Sequence, residues 1–323
     1  MEYKMRKKQF ISELSIGDTI DSQFSIKYKY SILEHKNGFM FLIGLSDKTG
    51  DIEAIYWGGI DKESAKKVHS MLKEGDIVHV IGIVGEYKNK LKIDIKEGKI
   101  TLAQQYNIED FIMKTKEDIN TMVSYIYNIR ESLKDKYLKL LFNEFLKDEI
   151  FLNNFMVSPA ALSYHHAYSG GLLEHSVNVA KICEALYSLY PKKLNKDLIM
   201  VGAILHDMGK IEEYKTTTNI KITEKGMLQG HITLGVEMAL DKINKIPNFP
   251  ELTKNKLLHI LLSHHGKKEY GSPVEPSFPE AVVVYYADEA DSKIKLYVEL
   301  KEKANGNKDF HIYDNKTGNI FIK

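Results

Sequence analysis

The chain has 323 residues, of which 43% are hydrophobic and 28% are charged, and its formal net charge is +1. This composition is that of a globular protein of about two domains, and it excludes collagen-like, low-complexity and intrinsically disordered chains. Basic and acidic residues are interspersed and are equally numerous within residues 1–110. Binding to a nucleic acid would therefore depend on a local patch and not on bulk charge.

The cysteine content and the N-terminus bear on the compartment. The single cysteine, Cys183, excludes an intramolecular disulfide and is typical of a reducing environment. The basic start MEYKMRKKQF is not followed by an apolar segment, and no apolar run approaches the length that spans a membrane. These features predict a cytoplasmic protein.

The first hundred residues predict an all-β domain. Apolar alternation between turn residues predicts strands at 19–33, 39–45, 52–57, 77–85 and 91–102. Helix-forming residues at 61–73 lie between the third and fourth strands. Five strands with one helix after the third is the order of an OB-fold barrel.

From residue 108 onward the apolar spacing becomes helical. Residues 108–133 and 137–152 predict two connecting helices, and further helices are predicted at 171–190, 197–208, 231–245, 252–264 and 279–303. Residues 314–319 predict a turn between two short extended pieces. We expect a multi-domain chain with an all-β OB-fold barrel over 1–105, a helical connector over 106–155, and an all-α helical bundle with a C-terminal tail over 156–323.

The most informative motif is His206-Asp207, which lies in the apolar run LIMVGAILHDMGK. Two polar side chains in an apolar helix are costly to bury unless a charged partner compensates them, and a metal ion is the usual partner. Further candidate ligands recur on successive predicted helices, namely His175, His231, His264, His265 and Asp288. One ligand from each helix suits a helical bundle and excludes a zinc finger, whose ligands come in close pairs.

Imidazole and carboxylate ligands together favour a borderline divalent ion over Mg²⁺. One set of ligands, with open positions for water and substrate, is predicted to be His175, His206, Asp207 and Asp288. If Asp207 also bridges outward, His231 and one of His264 or His265 would hold a second ion. Two neighbouring ions activate a water and stabilise the leaving oxygen in phosphodiester hydrolysis. We expect two divalent ions, preferably Mn, with Fe, Co, Ni or Zn as alternatives.

The loop before the first ligand helix predicts substrate contacts. The rings of His166 and Tyr168 would stack on terminal bases, and Gly170 would let the backbone approach a phosphate. A structural turn at the helix entry explains the glycines equally well. Asp291, one helical turn after Asp288, is expected to orient a metal ligand.

The barrel predicts a second region of substrate contact. Trp57 ends the third predicted strand, and Lys88 and Lys90 lie on the later hairpin. OB-folds bind single strands with aromatic rings and basic grooves, so these residues would guide a single-stranded nucleic acid. For the lysines, an ordinary solvated strand face is the alternative.

These residues also carry a family resemblance. The order His175, His206-Asp207, Asp288 resembles the H…HD…D signature of the HD-domain metal-dependent phosphohydrolases, and His231 with His264-His265 resembles their two-metal branch. Nearly the whole chain is similar to the YhaM family of 3′-5′ exoribonucleases. That similarity is carried by KNGFMFLIGLSDKTGDIEAIYW, SYHHAYSGGLLEHSVNVA, GAILHDMGKI, GHITLG and LLSHHG.

The resemblance implies an OB-fold followed by an HD domain that removes nucleoside 5′-monophosphates from the 3′ end of single-stranded RNA, or alternatively of single-stranded DNA. It assigns metal ligation to His175, His206, Asp207, His231, His264 and Asp288. His265 is a further candidate ligand, although consecutive helical residues point about 100° apart. Asp207 would be catalytic as the bridging ligand. Lys210 resembles the lysine of the HDxGK motif and would contact phosphate or stabilise charge in the transition state, a solvated helix-end lysine being the alternative.

Two other hypotheses remain open. An HD-type hydrolase of small nucleotides would act on nucleoside triphosphates, alarmones or cyclic dinucleotides, but a small substrate needs no attached barrel. A non-catalytic nucleic-acid-binding protein would use the metal structurally, but open coordination positions and Lys210 argue against it. The long connecting helices are compatible with a homo-oligomer.

Overall fold

The structure, a computed structural model, describes residues 7–87, 90–162, 166–304, 309–314 and 317–323. The chain folds into two compact units, one made of residues 1–114 and 216–220 and the other of residues 115–215 and 221–323. None of the helices in the described ranges combines the length and the apolarity that crossing a bilayer requires.

The first unit is the predicted OB-fold barrel. Its strands are β1 (Thr19–Lys29), β2 (Leu33–His35), β3 (Gly38–Asp47), β4 (Gly50–Trp57), β5 (Ile77–Tyr87), β6 (Lys90–Lys96) and β7 (Ile100–Leu102). They pair in the order β1-β3-β4-β6-β5, and β1 also pairs with β5, which closes the barrel. The β4–β6 pair is parallel and the other pairs are antiparallel. Helix α1 (Lys62–Met71) follows β4, as predicted.

Alternation along the strands builds the barrel core. Phe41, Ile43, Ala54 and Tyr56 point inward from β3 and β4 and have no exposed surface. Two predicted strands are divided. The first ends at Lys29, and β2, which begins at Leu33, pairs separately with β3; the last is divided into β6 and β7 by a turn. Short breaks of this kind leave the apolar alternation almost unchanged, so the pattern alone does not reveal them.

The segment before β1 is anchored to the barrel by Lys7. Its side chain is fully buried, with Nζ 3.2 Å from Oδ2 of Asp47 and 3.7 Å from the centre of the Phe24 ring. Burial lowers the pKa of Lys7 to about 8, although the neighbouring carboxylate of Asp47 favours the charged form.

The second unit is mainly helical. Its helices are α2 (Ile119–Ser132), α3 (Lys136–Leu146), α4 (Glu149–Val157), α5 (Gly171–Leu189), α6 (Lys196–Leu205), α7 (Lys210–Glu213), α8 (Glu224–Ile243), α9 (Glu251–Ser263) and α10 (Pro279–Lys303). Two connecting helices were expected, but the structure has three, α2, α3 and α4. Each begins at an aspartate, Asp118, Asp135 or Asp148, whose side chain accepts hydrogen bonds from amides of the first turn.

Two hairpins accompany these helices. Strands β8 (Tyr214–Thr216) and β9 (Ile220–Ile222) interrupt the region that was predicted to be all-helical, so that prediction was wrong there. Residues 216–220 of this hairpin group with the barrel unit. Strands β10 (His311–Asp314) and β11 (Gly318–Phe321) confirm the extended pieces predicted at the C-terminal end.

Helix α6 lies at the centre of the second unit and packs against α5, α9 and α10. Every residue from Leu198 to Leu205 is buried, so the helix is apolar on all sides. The residues that follow it, His206 and Asp207, are 1% exposed. The predicted motif thus lies in the interior, where only a compensated polar group is stable.

Candidate metal centre

The structure brings the predicted metal ligands together in two groups. The first cluster consists of His175, His206 and Asp288, and the second cluster consists of Asp207, His231, His264 and His265. Within each group one ligand atom of every residue lies within 4.8 Å of the others. All seven predicted metal-ligand residues are therefore at one centre.

Helix ends position four of these residues. His175, His231 and Asp288 lie within α5, α8 and α10. In contrast, α6 ends at Leu205 and α9 ends at Ser263, so His206-Asp207 and His264-His265 follow the ends of helices and do not lie within them. This corrects the expected helix over 197–208 and removes the objection to His265. The rings of His264 and His265 have their centres 4.3 Å apart, and both residues offer a ligand atom to the second cluster.

The first cluster is compact. Nε2 of His175 lies 3.1 Å from Nε2 of His206, 3.2 Å from Oδ1 of Asp288 and 3.3 Å from Oδ2 of Asp207. Nε2 of His206 lies 3.5 Å from the same Oδ2 of Asp207. Two imidazoles of this cluster thus face one carboxylate oxygen of Asp207.

The other oxygen of Asp207 faces the second cluster. Its Oδ1 lies 3.4 Å from Nε2 of His264 and 3.5 Å from Nε2 of His231. Nε2 of His231 lies 3.1 Å from Nε2 of His265. Among the seven residues of the centre, Asp207 consequently directs its two oxygens at both clusters, which is the position expected of a bridging ligand.

The far nitrogens of the five ligand histidines are all engaged. Nδ1 of His206 and of His264 contacts the carbonyl three residues earlier, that of Ala203 at 2.7 Å and that of Leu261 at 2.8 Å. Nδ1 of His265 lies 3.2 Å from the carbonyl of Tyr270. A carbonyl accepts but does not donate, so each Nδ1 carries the proton and each Nε2 keeps a lone pair for a cation.

Carboxylates hold the remaining two histidines. Nδ1 of His175 lies 2.7 Å from Oδ2 of Asp291, and Nδ1 of His231 lies 3.4 Å from Oε1 of Glu213. Asp291 was expected from its spacing, whereas Glu213 was missed, because one of two adjacent glutamates in a short helix gives no sequence signal of its own. Each cluster therefore contains one histidine oriented by a carboxylate.

Two buried atoms at the centre lack hydrogen-bond partners among the described residues. These are Oδ1 of Asp207 and Nε2 of His264, both in residues that are 1% exposed. Burial lowers the pKa of His264 to about 3, so its ring is neutral at physiological pH. A neutral ring and a carboxylate oxygen that face each other without a proton between them fit a divalent cation.

The charges of the centre also require a cation. Burial disfavours ionised Asp207 and Asp288. Lys210, His206 and His175 nevertheless hold the pKa of Asp207 below its usual range, and His175 and His206 do the same for Asp288. Burial likewise opposes a charge on His175, yet hydrogen bonds to Asp207, Asp288 and Asp291 raise its pKa well above the usual value. The carboxylates thus draw positive charge into the interior, and a metal ion at Nε2 would supply it.

Lys210 and an adjacent cavity complete the centre. Nζ of Lys210 lies 2.5 Å from Oδ2 of Asp207, and its side chain is 12% exposed. A cavity of ≈ 610 Å³ is lined by Asp207, Lys210, His264, His265 and Asp288 together with residues of α10. A substrate in this cavity would meet the ligands and the lysine directly.

The loop at residues 166–171 differs from its predicted role. His166 has no exposed surface, and its Nε2 lies 2.8 Å from Oδ2 of Asp291, so it cannot stack on a base. Gly170 is buried, and its amide donates to the carbonyl of Val157 at 3.3 Å, so it does not offer this amide to a phosphate. The hydroxyl of Tyr168 donates to Glu174 at 2.9 Å. At His166 and Gly170 the loop thus acts as a structural helix entry, whereas a substrate contact of the partly exposed Tyr168 stays a prediction.

In the barrel, the predicted contact residues have different environments. Trp57 is partly exposed, and its Nε1 donates to Oδ1 of Asp94 at 3.0 Å. The ring of His35 lies edge-on to it at 5.3 Å. Lys90 is exposed, and Lys88 lies outside the described residues. Trp57 and Lys90 are therefore accessible on the barrel unit, and their contact with nucleic acid stays a prediction.

Comparison with known families identifies two domains. Residues 172–293 match the HD domain, and residues 25–101 match an OB-fold nucleic acid binding domain. The chain therefore combines a nucleic-acid-binding OB-fold with an HD domain, which indicates a metal-dependent phosphohydrolase.

Two solved structures that resemble part of the chain are an OB-fold domain and a putative synthetase. The second OB-fold domain of replication protein A from Methanococcus maripaludis is 23% identical, with a TM-score of 0.24, and the match covers 31% of this chain and 97% of that one. A putative aspartyl-tRNA synthetase from Leishmania major Friedlin is 17% identical, with a TM-score of 0.24, and the match covers 46% of this chain and 34% of that one.

Proposed function

We propose that this protein, an OB-fold joined to an HD domain, is a metal-dependent 3′-5′ exoribonuclease that acts on single-stranded RNA. The observation that carries the proposal is the position of Asp207, whose two oxygens face two separate groups of buried or partly buried imidazoles. Such an arrangement is suited to two ions at phosphodiester-cleaving distance. The OB-fold in the same chain favours a polynucleotide over a small nucleotide, and the 3′-5′ direction rests on the resemblance to the YhaM family.

We assign one divalent ion to each cluster, with Mn²⁺ preferred because the ligands mix imidazole and carboxylate. When bound, the two ions would supply an activated water and positive charge at the scissile phosphate. The protein contributes fixed ligands, since the Nδ1 contacts described above hold every imidazole with its Nε2 towards the centre. Ligands held in this way need little reorganisation when ions bind.

Lys210 is assigned to the phosphate. Its ammonium is next to Asp207 and borders the cavity, so it can stabilise negative charge that develops on the phosphate oxygens in the transition state. Attack of water on phosphorus breaks the bond to the 3′ oxygen, which takes up a proton. The products are a nucleoside 5′-monophosphate and an RNA that is one residue shorter and ends in a 3′ hydroxyl.

We assign retention of the RNA strand to the barrel. Trp57 offers an aromatic surface, and Lys90 is an exposed cation on the barrel unit. Neither residue has a part in bond cleavage. Loss of either should weaken RNA binding and leave hydrolysis of a dinucleotide unaffected.

The test uses single-stranded RNA labelled at its 5′ end, purified full-length protein and Mn²⁺, with and without EDTA. We expect a ladder that shortens from the 3′ end, release of nucleoside 5′-monophosphates, and no reaction with EDTA. Asp207→Asn should abolish hydrolysis and leave RNA binding largely intact, because the barrel is unchanged. Substantial metal-dependent hydrolysis by that variant would contradict the assignment of hydrolysis to this metal centre.

A matched control is available in His259. This histidine is close in sequence to His264 but lies outside both clusters, with Nε2 3.1 Å from the amide of Ser277. His264→Gln should lose activity and His259→Gln should keep it. Parallel reactions with a nucleoside triphosphate, an alarmone and a cyclic dinucleotide test the alternative, and turnover of one of these without RNA degradation would replace the exoribonuclease proposal.

A further inference from the structure

The cavity beside the metal centre has features that cation ligation does not explain. Its ≈ 610 Å³ volume lies within the range of small-ligand sites. Beyond the ligands and Lys210, its wall is half polar, with Glu289, Ser292, Lys293 and Thr317, and half aromatic or apolar, with Tyr270, Tyr285, Leu296 and Tyr297. A site that only bound phosphate would need cations and amides here, and it would have no use for three tyrosine rings.

The lysines that line the described part of the cavity wall are already paired. Nζ of Lys210 lies 2.5 Å from Asp207, and Nζ of Lys293 lies 2.6 Å from Oε1 of Glu289. The cavity therefore has little free positive charge for additional phosphates. Its chemistry instead suits a group that is flat, largely uncharged and able to stack, such as a nucleobase.

Two of the tyrosines present open ring surface. Tyr270 is 55% exposed and Tyr297 is 47% exposed. Tyr285 differs, because its ring packs on Gly266, where an added Cβ would lie 2.2 Å from the ring. Tyr285 thus forms a fixed part of the wall, and the exposed rings belong to Tyr270 and Tyr297.

Both exposed rings are placed relative to the metal centre by the backbone. The carbonyl of Tyr270 holds Nδ1 of the ligand His265 at 3.2 Å. Tyr297 follows the ligand Asp288 by nine residues on the same helix, roughly 13 Å along its axis. The candidate ligands and the exposed rings are therefore carried by the same backbone segments.

We propose that this cavity is the binding site for the terminal nucleoside of the substrate, with its base against Tyr270 and Tyr297 and its 5′ phosphate at the metal centre. This inference rests on the proposed function, and it names how the end of the chain is recognised. The site stacks one terminal base and offers little free positive charge to further phosphates. It should therefore bind the end of an RNA chain in preference to an internal segment. Recognition by stacking is also tolerant of base identity.

The test measures binding, not turnover. Adenosine 5′-monophosphate, ribose 5-phosphate and inorganic phosphate are titrated into the Mn²⁺-loaded full-length protein in a calorimeter. Stacking of one base predicts that adenosine 5′-monophosphate binds about 5- to 150-fold more tightly than ribose 5-phosphate. Tyr270→Leu and Tyr297→Leu should each reduce that ratio, and the corresponding phenylalanine variants should preserve it.

The design separates stacking from damage to the centre. Tyr270 holds His265 through its backbone carbonyl, so replacing its side chain leaves that contact available. Inorganic phosphate should bind all variants equally. Tyr190→Leu is the matched control, because Tyr190 is 61% exposed but lies outside the cavity wall.

Equal affinities for adenosine 5′-monophosphate and ribose 5-phosphate would overturn the inference, as would an unchanged ratio in both leucine variants. These results are distinguishable from failure of the proposed function. RNA hydrolysis without a base-dependent ratio would refute the nucleoside site alone. A base-dependent ratio without RNA hydrolysis would refute the exoribonuclease and retain the nucleoside site.

Discussion

Replacing Gly209 by alanine should disable the second cluster while the first remains able to bind an ion. Gly209 follows the His206-Asp207 motif by two residues, and its backbone crosses α8 at His231. An added Cβ would lie 1.9 Å from the carbonyl oxygen of His231 and 2.6 Å from the amide nitrogen of Gly235. Since both neighbours are backbone atoms, the clash cannot be relieved by a side-chain rotation.

The required displacement can be estimated from the contact distances. Ordinary contacts begin at 3.4 Å, so the segments that carry Gly209 and His231 must separate by about 1.5 Å. Their ligand atoms, Oδ1 of Asp207 and Nε2 of His231, are now 3.5 Å apart. A misplacement of about 1 Å in a catalytic site costs on the order of 10²-fold in rate. Overpacking of this kind also lowers the free energy of unfolding by about 1–3 kcal/mol.

The assay compares metal content and activity with those of Gly235→Ala. The Cβ added at Gly235 would lie 3.5 Å from the amide nitrogen of Gly209, an ordinary contact, and alanine favours the helix over glycine by about 1 kcal/mol. We expect Mn²⁺ titrations of Gly209→Ala to lose the second ion and RNA hydrolysis to fall about 100-fold, whereas Gly235→Ala should keep both. Two ions and full activity in Gly209→Ala, or equal losses in both variants, would refute this reasoning.

The remaining predictions concern hydrogen-bonded and buried charges. Asp291→Asn removes the carboxylate that orients His175, and Glu213→Gln removes the one that orients His231. Each variant should weaken Mn²⁺ binding about 10- to 100-fold at its own cluster. Calorimetry that shows both clusters weakened alike would contradict this. Burial lowers the pKa of Lys7 from 10.5 to about 8 in the folded chain. Between these two pH values the unfolded chain binds more protons than the folded chain, so the free energy of unfolding rises with pH. Relative to Lys7→Met, the wild type should gain roughly 2 kcal/mol in free energy of unfolding from pH 8 to pH 10, and parallel denaturation curves at the two pH values would rule this out.

The order of elements and the candidate ligand set can be predicted directly from the sequence. Alternation and turn residues are enough to predict the barrel because its inward positions, such as Phe41 and Tyr56, are strictly apolar. The ligands His206 and Asp207 stand out because they interrupt an apolar run. Such contrasts between a residue and its surroundings are local, so they are visible without any knowledge of tertiary structure.

What the sequence did not predict depends on contacts between distant residues or on chain ends. Helix α6 ends at Leu205, although the apolar spacing continues to Met208. The orientation of His231 by Glu213 depends on the packing of α7 against α8, and the spacing of residues along the sequence does not predict that packing. His166 is aromatic and lies in a predicted loop, which indicates a substrate contact. In the structure its ring is buried against Asp291.

The meeting of helix ends and carboxylates at one point has a consequence for the order of binding. Helices α6 and α9 both end at this centre, and the carboxyl end of a helix carries partial negative charge. Asp207, Asp288 and Asp291 add full negative charges in a buried setting. This negative charge would repel an RNA phosphate from the ion-free protein. We therefore expect the cations to bind before the RNA, and the bound cations to attract the phosphate at the end of the substrate.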